Sequence, residues 1–162
     1  MGVTLMQIRK NMKTIVVYSS SNKQGNTADA CKKYIAQSGA DSLYLDDFII
    51  HDYTYEHRHT DDDFRGLFLQ ILEYDHIVFA SPVYWYAVTP RMKAFFDRIS
   101  EYMDDKSLHP VLRRLRGKAF SIHTNSISDT APEPMLAMLI KTCEYLGMQV
   151  KEQKHFHYPQ AY

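Results

Sequence analysis

Apolar and polar residues fall in blocks along the chain, and the period inside each block predicts its element. Thr14-Ile15-Val16-Val17-Tyr18 is β-branched and apolar with no polar alternation. A run of that length suits a strand buried on both faces. Residues 76–80 and 118–123 repeat it, and residues 42–45 form a shorter candidate. Residues 148–158 alternate and carry Lys, Glu, Gln and His, the pattern of a strand at a sheet edge. Between these runs the period changes to that of a helix. Phe64, Leu67, Phe68, Ile71 and Leu72 follow i, i+3, i+4, i+7, i+8, with a capping-box-like start offered by Thr60 and Asp63. Met92, Phe95, Phe96, Ile99 and Met103 form a second stripe, which reads as core, with Thr89 placed to cap and Pro90 in the first turn. Met135, Leu139, Thr142 and Leu146 form a third, stopped by Gly147. A helix over residues 26–37, ended by Gly39, completes the set.

Strands alternating with helices predict an α/β fold: a parallel sheet of five strands with helices on both faces. Ligands in such folds bind beyond the carboxyl ends of the strands. No repeat, low-complexity tract or linker divides the chain, and residues 46–59 are the longest irregular stretch. One domain over residues 12–162 is expected, with residues 1–11 as a flexible N-terminal extension, because Met12 itself reads like a start.

Composition narrows the function classes. The chain has 162 residues, 45% of them hydrophobic, enough for a core and too many for a disordered chain. Nineteen basic residues balance nineteen acidic ones. Without a net field, neither nucleic acid nor an anionic membrane is an expected partner, and an acidic electron carrier is disfavoured. The two cysteines, Cys31 and Cys143, form no C-x-x-C, and no apolar run reaches the length of a membrane helix. A reduced, cytoplasmic protein is expected.

Two loops carry candidate chemistry. Ser19-Ser20-Ser21-Asn22-Lys23-Gln24-Gly25-Asn26-Thr27 follows the first strand and opens a helix. Hydroxyl and amide donors converging on a helix N-terminus suit a phosphate. The spacing is neither a P-loop nor G-x-G-x-x-G, and an ordinary polar turn capped by Asn26 or Thr27 is the alternative. Ser81-Pro82-Val83-Tyr84-Trp85-Tyr86-Ala87-Val88-Thr89-Pro90 follows the 76–80 run. Three consecutive aromatics on a loop suit either a planar ring or packing in a dimer.

Other clusters point less sharply. His51, His57 and His59 with Asp52 and Glu56 contain ligand types, yet histidine-rich surface loops are common, and no metal site is expected. Arg113, Arg114, Arg116 and Lys118 read first as a solvated helix end, and second as a patch for the 2′-phosphate of NADPH. Gln37 stands where a C-x5-R phosphatase loop starting at Cys31 needs Arg, so a cysteine nucleophile is not indicated.

The two loops together resemble those of the NAD(P)H-dependent FMN reductases of the flavodoxin-like superfamily, and residues 61–98 are similar to its iron–sulfur flavoprotein-like branch. That resemblance implies the strand order 2-1-3-4-5 and an FMN cofactor. It implies phosphate contacts from Ser20, Ser21, Asn22, Gln24, Asn26 and Thr27. Pro82, Val83, Tyr84 and Trp85 would line the flavin ring and offer amides near its reactive edge. Thr124 and Asn125, with Ser126, would reach the ring's other side from a loop after the fourth strand. Segment 46–59 lacks the cysteines of that branch, so an iron–sulfur centre is excluded by missing ligands. Asn22 stands where a basic residue is common, leaving the phosphate to backbone, helix dipole and Lys23. Tyr86 stands where glycine is common. The implied activity is hydride transfer from NADPH or NADH through FMN to a small-molecule electron acceptor: a quinone, a nitro or azo compound, or free flavin. No side chain is named as an acid or base, although Tyr84 or Tyr86 has the chemistry to donate a proton or shape the acceptor site. A non-enzymatic flavoprotein, as shuttle or sensor, and a domain that has lost FMN are the alternatives. The exposed aromatics imply a homodimer.

Overall fold

The computed structural model describes residues 11–159. The extension expected over 1–11 lies, apart from its last residue, outside the described residues. Five strands, β1 (Thr14–Tyr18), β2 (Asp41–Tyr44), β3 (His76–Pro82), β4 (Ala119–Ser126) and β5 (Gln149–His157), form one parallel sheet in the order β2-β1-β3-β4-β5. This is the flavodoxin-like order. The helices are α1 (Asn26–Ser38), α2 (Phe64–Ile71), α3 (Pro90–Arg98), α4 (Ser100–Asp104), α5 (His109–Leu112) and α6 (Glu133–Tyr145).

The three central strands are buried over most of their length because both of their faces are covered. Ile15, Val17, Ile77, Phe79, Phe120 and Ile122 pack against α2, α3, α4 and α6. Val16, Val78 and Ala80 point the other way, onto Cys31, Tyr34 and Ile35 of α1. Among the described residues α1 is the one helix on that second face. Burial pushes the Cys31 and Cys143 thiols up to about 12, so neither supplies a thiolate nucleophile.

Four expectations need correction. Ser81 and Pro82 end β3, and Thr124–Ser126 end β4 instead of forming a loop, since the two strands stay paired through Ser81↔Thr124 and Pro82↔Asn125. A last-position proline breaks no ladder bond. The second helical stripe is interrupted: at Ile99 the ladder tightens to i→i+3, with Ile99 N–H donating to Phe96 O at 3.1 Å and Tyr102 N–H to Ile99 O at 2.9 Å. That tightening divides α3 from α4, and Met103 at the stripe's end is 38% exposed instead of core. The start of α2 is built by other residues than the capping-box pair. Asp62 Oδ1 accepts from Phe64 N–H at 3.2 Å, while Asp63 Oδ2 accepts from Ile49 N–H at 2.7 Å and makes no cap bond. Residues 106–115, which carry no clear period, form short helical turns, including α5.

The irregular segment after β2 is tied down from beneath. Arg98 is fully buried, and its guanidinium donates to both oxygens of Asp62 (2.5 and 3.2 Å), to Glu101, to His51 O at 3.0 Å and to His59 O at 2.6 Å. Asp62 also accepts from His51 N–H at 2.9 Å. Burial pushes the Asp62 carboxyl up, but the Arg98 guanidinium and two backbone amides outweigh it and hold it below the usual carboxylate range. Arg91 adds a bond to Ile50 O at 2.8 Å. The rings of His51 and His59 stack at 4.5 Å, and among the described residues no three His, Cys, Asp or Glu side chains gather as a metal site.

Candidate active site

The ends of β1, β3 and β4 lie side by side, so the loops leaving them meet. The chain leaves β1 through Ser19 and Ser20, both buried, and runs exposed through Ser21, Asn22, Lys23 and Gln24 to Gly25. Asn22 folds the loop as an Asx turn, with its Oδ1 accepting from Gln24 N–H at 3.0 Å and its carbonyl from Gly25 N–H at 3.1 Å. A Cβ on Gly25 would stand 3.1 Å from Asn22 Nδ2, so glycine lets the turn close. Helix α1 then begins without any side-chain cap; its first ladder bond runs from Asp29 N–H to Gly25 O at 3.0 Å. The amides of Asn26, Thr27 and Ala28 precede that bond, at the positive end of the helix dipole.

The individual donors are deployed unevenly. Ser20 N–H and Ser19 Oγ donate to Asp46 Oδ2, at 3.1 and 2.7 Å, and Ser20 Oγ accepts from Asn22 N–H at 3.3 Å, so Ser20 shapes the loop. Lys23 pairs with Asp47 at 2.5 Å. Its charge is therefore answered by a carboxylate, unlike the role the sequence suggested for it. Asn26 is exposed, while Thr27 is buried and donates to Asn125 Oδ1 at 2.8 Å.

Asn125 joins all three loops. Besides accepting from Thr27, its carbonyl accepts from Val83 N–H at 3.0 Å. Thr124 faces the other way, with its hydroxyl 2.7 Å from His155 Nδ1 of β5. Beyond Val83 the chain turns back on itself: Tyr84 N–H donates to Ala87 O at 2.9 Å and Ala87 N–H to Tyr84 O at 3.1 Å. Both central residues of that turn are left-handed, Trp85 at φ +46° and Tyr86 at φ +65°. Glycine or asparagine usually fills such positions, and a bulky L-residue there costs roughly 1–2 kcal/mol. This is the physical reason that glycine suits position 86. Proline has no N–H, and Val83, Tyr84 and Ala87 spend theirs internally, while the amides of Trp85 and Tyr86 at the tip of the turn make no backbone bond. Trp85 is 92% exposed.

The Tyr84 ring spans the gap between the first and second loops, with its hydroxyl 2.6 Å from Ser21 Oγ and accepting from Ser21 N–H at 3.1 Å. One cleft lies against it and a second lies against the turn that follows it. The first, of about 440 Å³, is lined by Ser21, Asp46, Asp52, Tyr84 and Arg91. The other, of about 410 Å³, is lined by Val83, Trp85, Tyr86, Ser126 and Ile127. The first contains residues that the sequence did not single out, Asp46 and Arg91, because nothing local marks a residue that the sheet brings in from another loop.

Known proteins share this fold. The Trp repressor binding protein of Bacillus subtilis superposes with a TM-score of 0.73 at 19% identity, over 91% of this chain and 85% of that one. General stress protein 14 of Treponema denticola, solved in complex with FMN, gives 0.57 at 16% identity, over 90% and 86%. A curated protein of B. subtilis strain 168, YwqN, named as an NAD(P)H-dependent FMN-containing oxidoreductase, is 28% identical over 101 residues, 58% of this chain. The match spans about half of that relative's length, 55%. The family model for NADPH-dependent FMN reductases matches residues 12–162. With the uncapped α1, the hydroxyl-rich loop before it and the aromatic turn beside it, the chain belongs to the NADPH-dependent FMN reductase family.

Proposed function

We propose that the chain is an FMN-dependent oxidoreductase that takes a hydride from NADPH or NADH and passes electrons to a small-molecule acceptor: a quinone, a nitro or azo compound, or free flavin. The observation that carries this reading is the convergence of an uncapped helix N-terminus with a strained aromatic turn at adjacent strand ends. The donor set fits a phosphate monoester: free amides at Asn26–Ala28, hydroxyl and amide side chains at Ser21, Asn22, Gln24 and Asn26, with the loop's one basic side chain, Lys23, paired to Asp47. Neutral donors and the helix dipole hold the dianion. The Val83–Tyr86 strand end and turn would flank the ring, and the amides of Trp85 and Tyr86 are placed to donate to it. Asn125 fixes the spacing between phosphate helix and ring loop through its two bonds.

FMN, when bound, supplies the hydride-accepting and electron-donating chemistry. The protein's part is to bind, orient and exclude water. Tyr84 bonds Ser21 across the gap, so Ser21 reaches a phosphate fully when that bond opens. The clefts beside Tyr84 and beside the Trp85–Tyr86 turn offer space for nicotinamide and acceptor in turn. A second copy of the chain, meeting the exposed Trp85, would wall the ring from outside.

The test is direct. Purified protein carries the visible absorbance of flavin, or takes it up with saturable quenching of FMN fluorescence. It then oxidises NADPH with menadione faster than free FMN does. Asn26→Asp puts a carboxylate at the phosphate position on an exposed side chain and abolishes FMN retention without unfolding the protein. A protein whose FMN fluorescence stays unquenched at saturating FMN refutes the reading.

A further inference from the structure

The basic cluster in residues 113–118 divides in the structure. Arg114 pairs with Glu73, and Lys118 donates to Tyr74 O at 2.5 Å with its ammonium partly withdrawn from water. Among the described residues, Arg113 and Arg116 have no carboxylate within ion-pair distance. Both line a cleft of about 340 Å³, with His109, Tyr145, Leu112 and Met103 among its other walls. No Asp or Glu lines it.

The cleft is assembled from separate elements. Arg113 stands on the turn after α5, and Arg116 precedes β4. Tyr145 ends α6, and its ring is largely uncovered, the residue being 75% exposed. The stem of Arg116 lies across Gly147: a Cβ there would stand 2.8 Å from Arg116 Cγ and 3.3 Å from its Cα. Gly147 has φ +87°, and its carbonyl accepts from Gly117 N–H at 2.8 Å, so the chain reversal is fixed and seats the arginine. His109 is held by Met103, its Nε2 2.8 Å from that carbonyl oxygen. Two guanidinium forks, an open aromatic face and an apolar floor of Leu112 and Met103 face one space. Guanidinium forks match phosphate oxygens, and an aromatic face stacks a flat ring.

This cleft is remote from the flavin loops. Those follow the carboxyl ends of β1, β3 and β4, whereas Arg116 and Tyr145 lie before the amino ends of β4 and β5. The eight residues of β4 separate the two levels by about 26 Å at ~3.3 Å per residue.

We propose that this cleft is a second ligand site, taking a planar aromatic that carries a phosphate, the class of the nucleoside phosphates. The ring stacks on Tyr145 and the phosphate bridges Arg113 and Arg116. The site needs no flavin, so it stands or falls separately from the oxidoreductase reading.

Calorimetric titration of the full chain, loaded with FMN and then freed of excess flavin by gel filtration, with adenosine 5′-monophosphate tests it, with inorganic phosphate and adenosine as separate arms. Saturable binding of the nucleotide is expected, weakening as salt is raised, with both fragments binding at least tenfold less tightly. The variant R113Q/R116Q, altered at two exposed side chains, loses nucleotide affinity by more than tenfold with its melting temperature unchanged. Tyr145→Ala loses nucleotide affinity but keeps that for inorganic phosphate, which separates stacking from charge. Asn26→Asp, at the other end of the sheet, leaves nucleotide binding intact. Unchanged binding in R113Q/R116Q overturns the proposal, as does loss of binding in Asn26→Asp or the absence of binding heat at millimolar nucleotide.

Discussion

Replacing Arg98 by methionine keeps the length and apolar stem of the side chain and removes its charge and donors. The wild-type guanidinium makes five hydrogen bonds, to Asp62 twice, Glu101, His51 O and His59 O, and lies 4.8 Å from the centre of the Phe64 ring. Its partners' side chains are 1% and 3% exposed at Asp62 and Glu101, so the substitution leaves Asp62 buried without its cation and Glu101 with only Arg65, 3.7 Å away. Breaking a buried pair from one side costs about 3–5 kcal/mol. Against a total stability of about 5–15 kcal/mol for a domain, that is a large fraction. Urea denaturation at neutral pH measures it directly. Two further readouts separate this account from generic core damage. Hydrogen exchange speeds up across residues 48–63 more than in the central strands, because His51 O and His59 O lose their anchor. The deficit also shrinks in acid. In the wild type Asp62 is held below the usual carboxylate range, so its contribution is complete above about pH 4 and is lost as pH falls through its folded value. In Arg98→Met the burial effect acts unopposed by the guanidinium, the carboxyl rises, and protonation favours the folded variant. A cost below about 1 kcal/mol, or a deficit that grows as pH drops, refutes the reasoning.

Tyr84→Phe removes the hydroxyl that occupies Ser21 and tightens FMN by roughly fivefold, the effect of one net hydrogen bond of about 1 kcal/mol; fluorescence titration reads it, and tenfold weaker binding refutes the competition. Tyr86→Gly relieves a left-handed residue worth roughly 1–2 kcal/mol against a glycine entropy cost of about 0.5–1 kcal/mol. The melting temperature then holds or rises by a few degrees, and a clear fall shows that the ring packs more than its backbone strains. His76 is held neutral, with burial, then Lys151 and His123, pushing it down to about 4 against the opposing pull of Glu152. Its contribution, about 3 kcal/mol, is therefore complete above about pH 6.5 and lost as pH falls toward 4. His76→Gln flattens that slope in urea denaturation, and an unchanged slope assigns the acid sensitivity elsewhere.

The parts of the fold legible in the chain are those in which burial acts on consecutive residues. Ile15–Val17 and Ile77–Ala80 are apolar on both sides because helices cover both sides, and the α2 stripe from Phe64 to Ile71 is one continuous contact face. Long-range pairing was illegible. Ser81–Pro82 and Thr124–Ser126 look like loop until each finds the other as a strand partner. Nothing adjacent to Arg98 in the sequence foretells its burial, since Asp62 arrives from 36 residues away. The hydroxyl-rich loop before α1 was legible through its composition and its place before a helix. The bonds that commit Ser20 to Asp46 and Ser21 to Tyr84 were not, because they join separate loops. Tyr86 was noticed as an odd residue, and the backbone angle supplies the reason.

One helix alone, among the described residues, sits on the Val16–Val78 side of the sheet, and the proposed phosphate contacts gather at its first turn. The same segment is thus a roof and a fastening. A ligand held at Asn26–Ala28 would pin the one helix that, among the described residues, covers that flank, and the protein's resistance to unfolding would then track its flavin supply. At a free ligand level one hundred times the dissociation constant, the native state gains about 2.7 kcal/mol, close to a hundredfold fall in the unfolded fraction that proteases see.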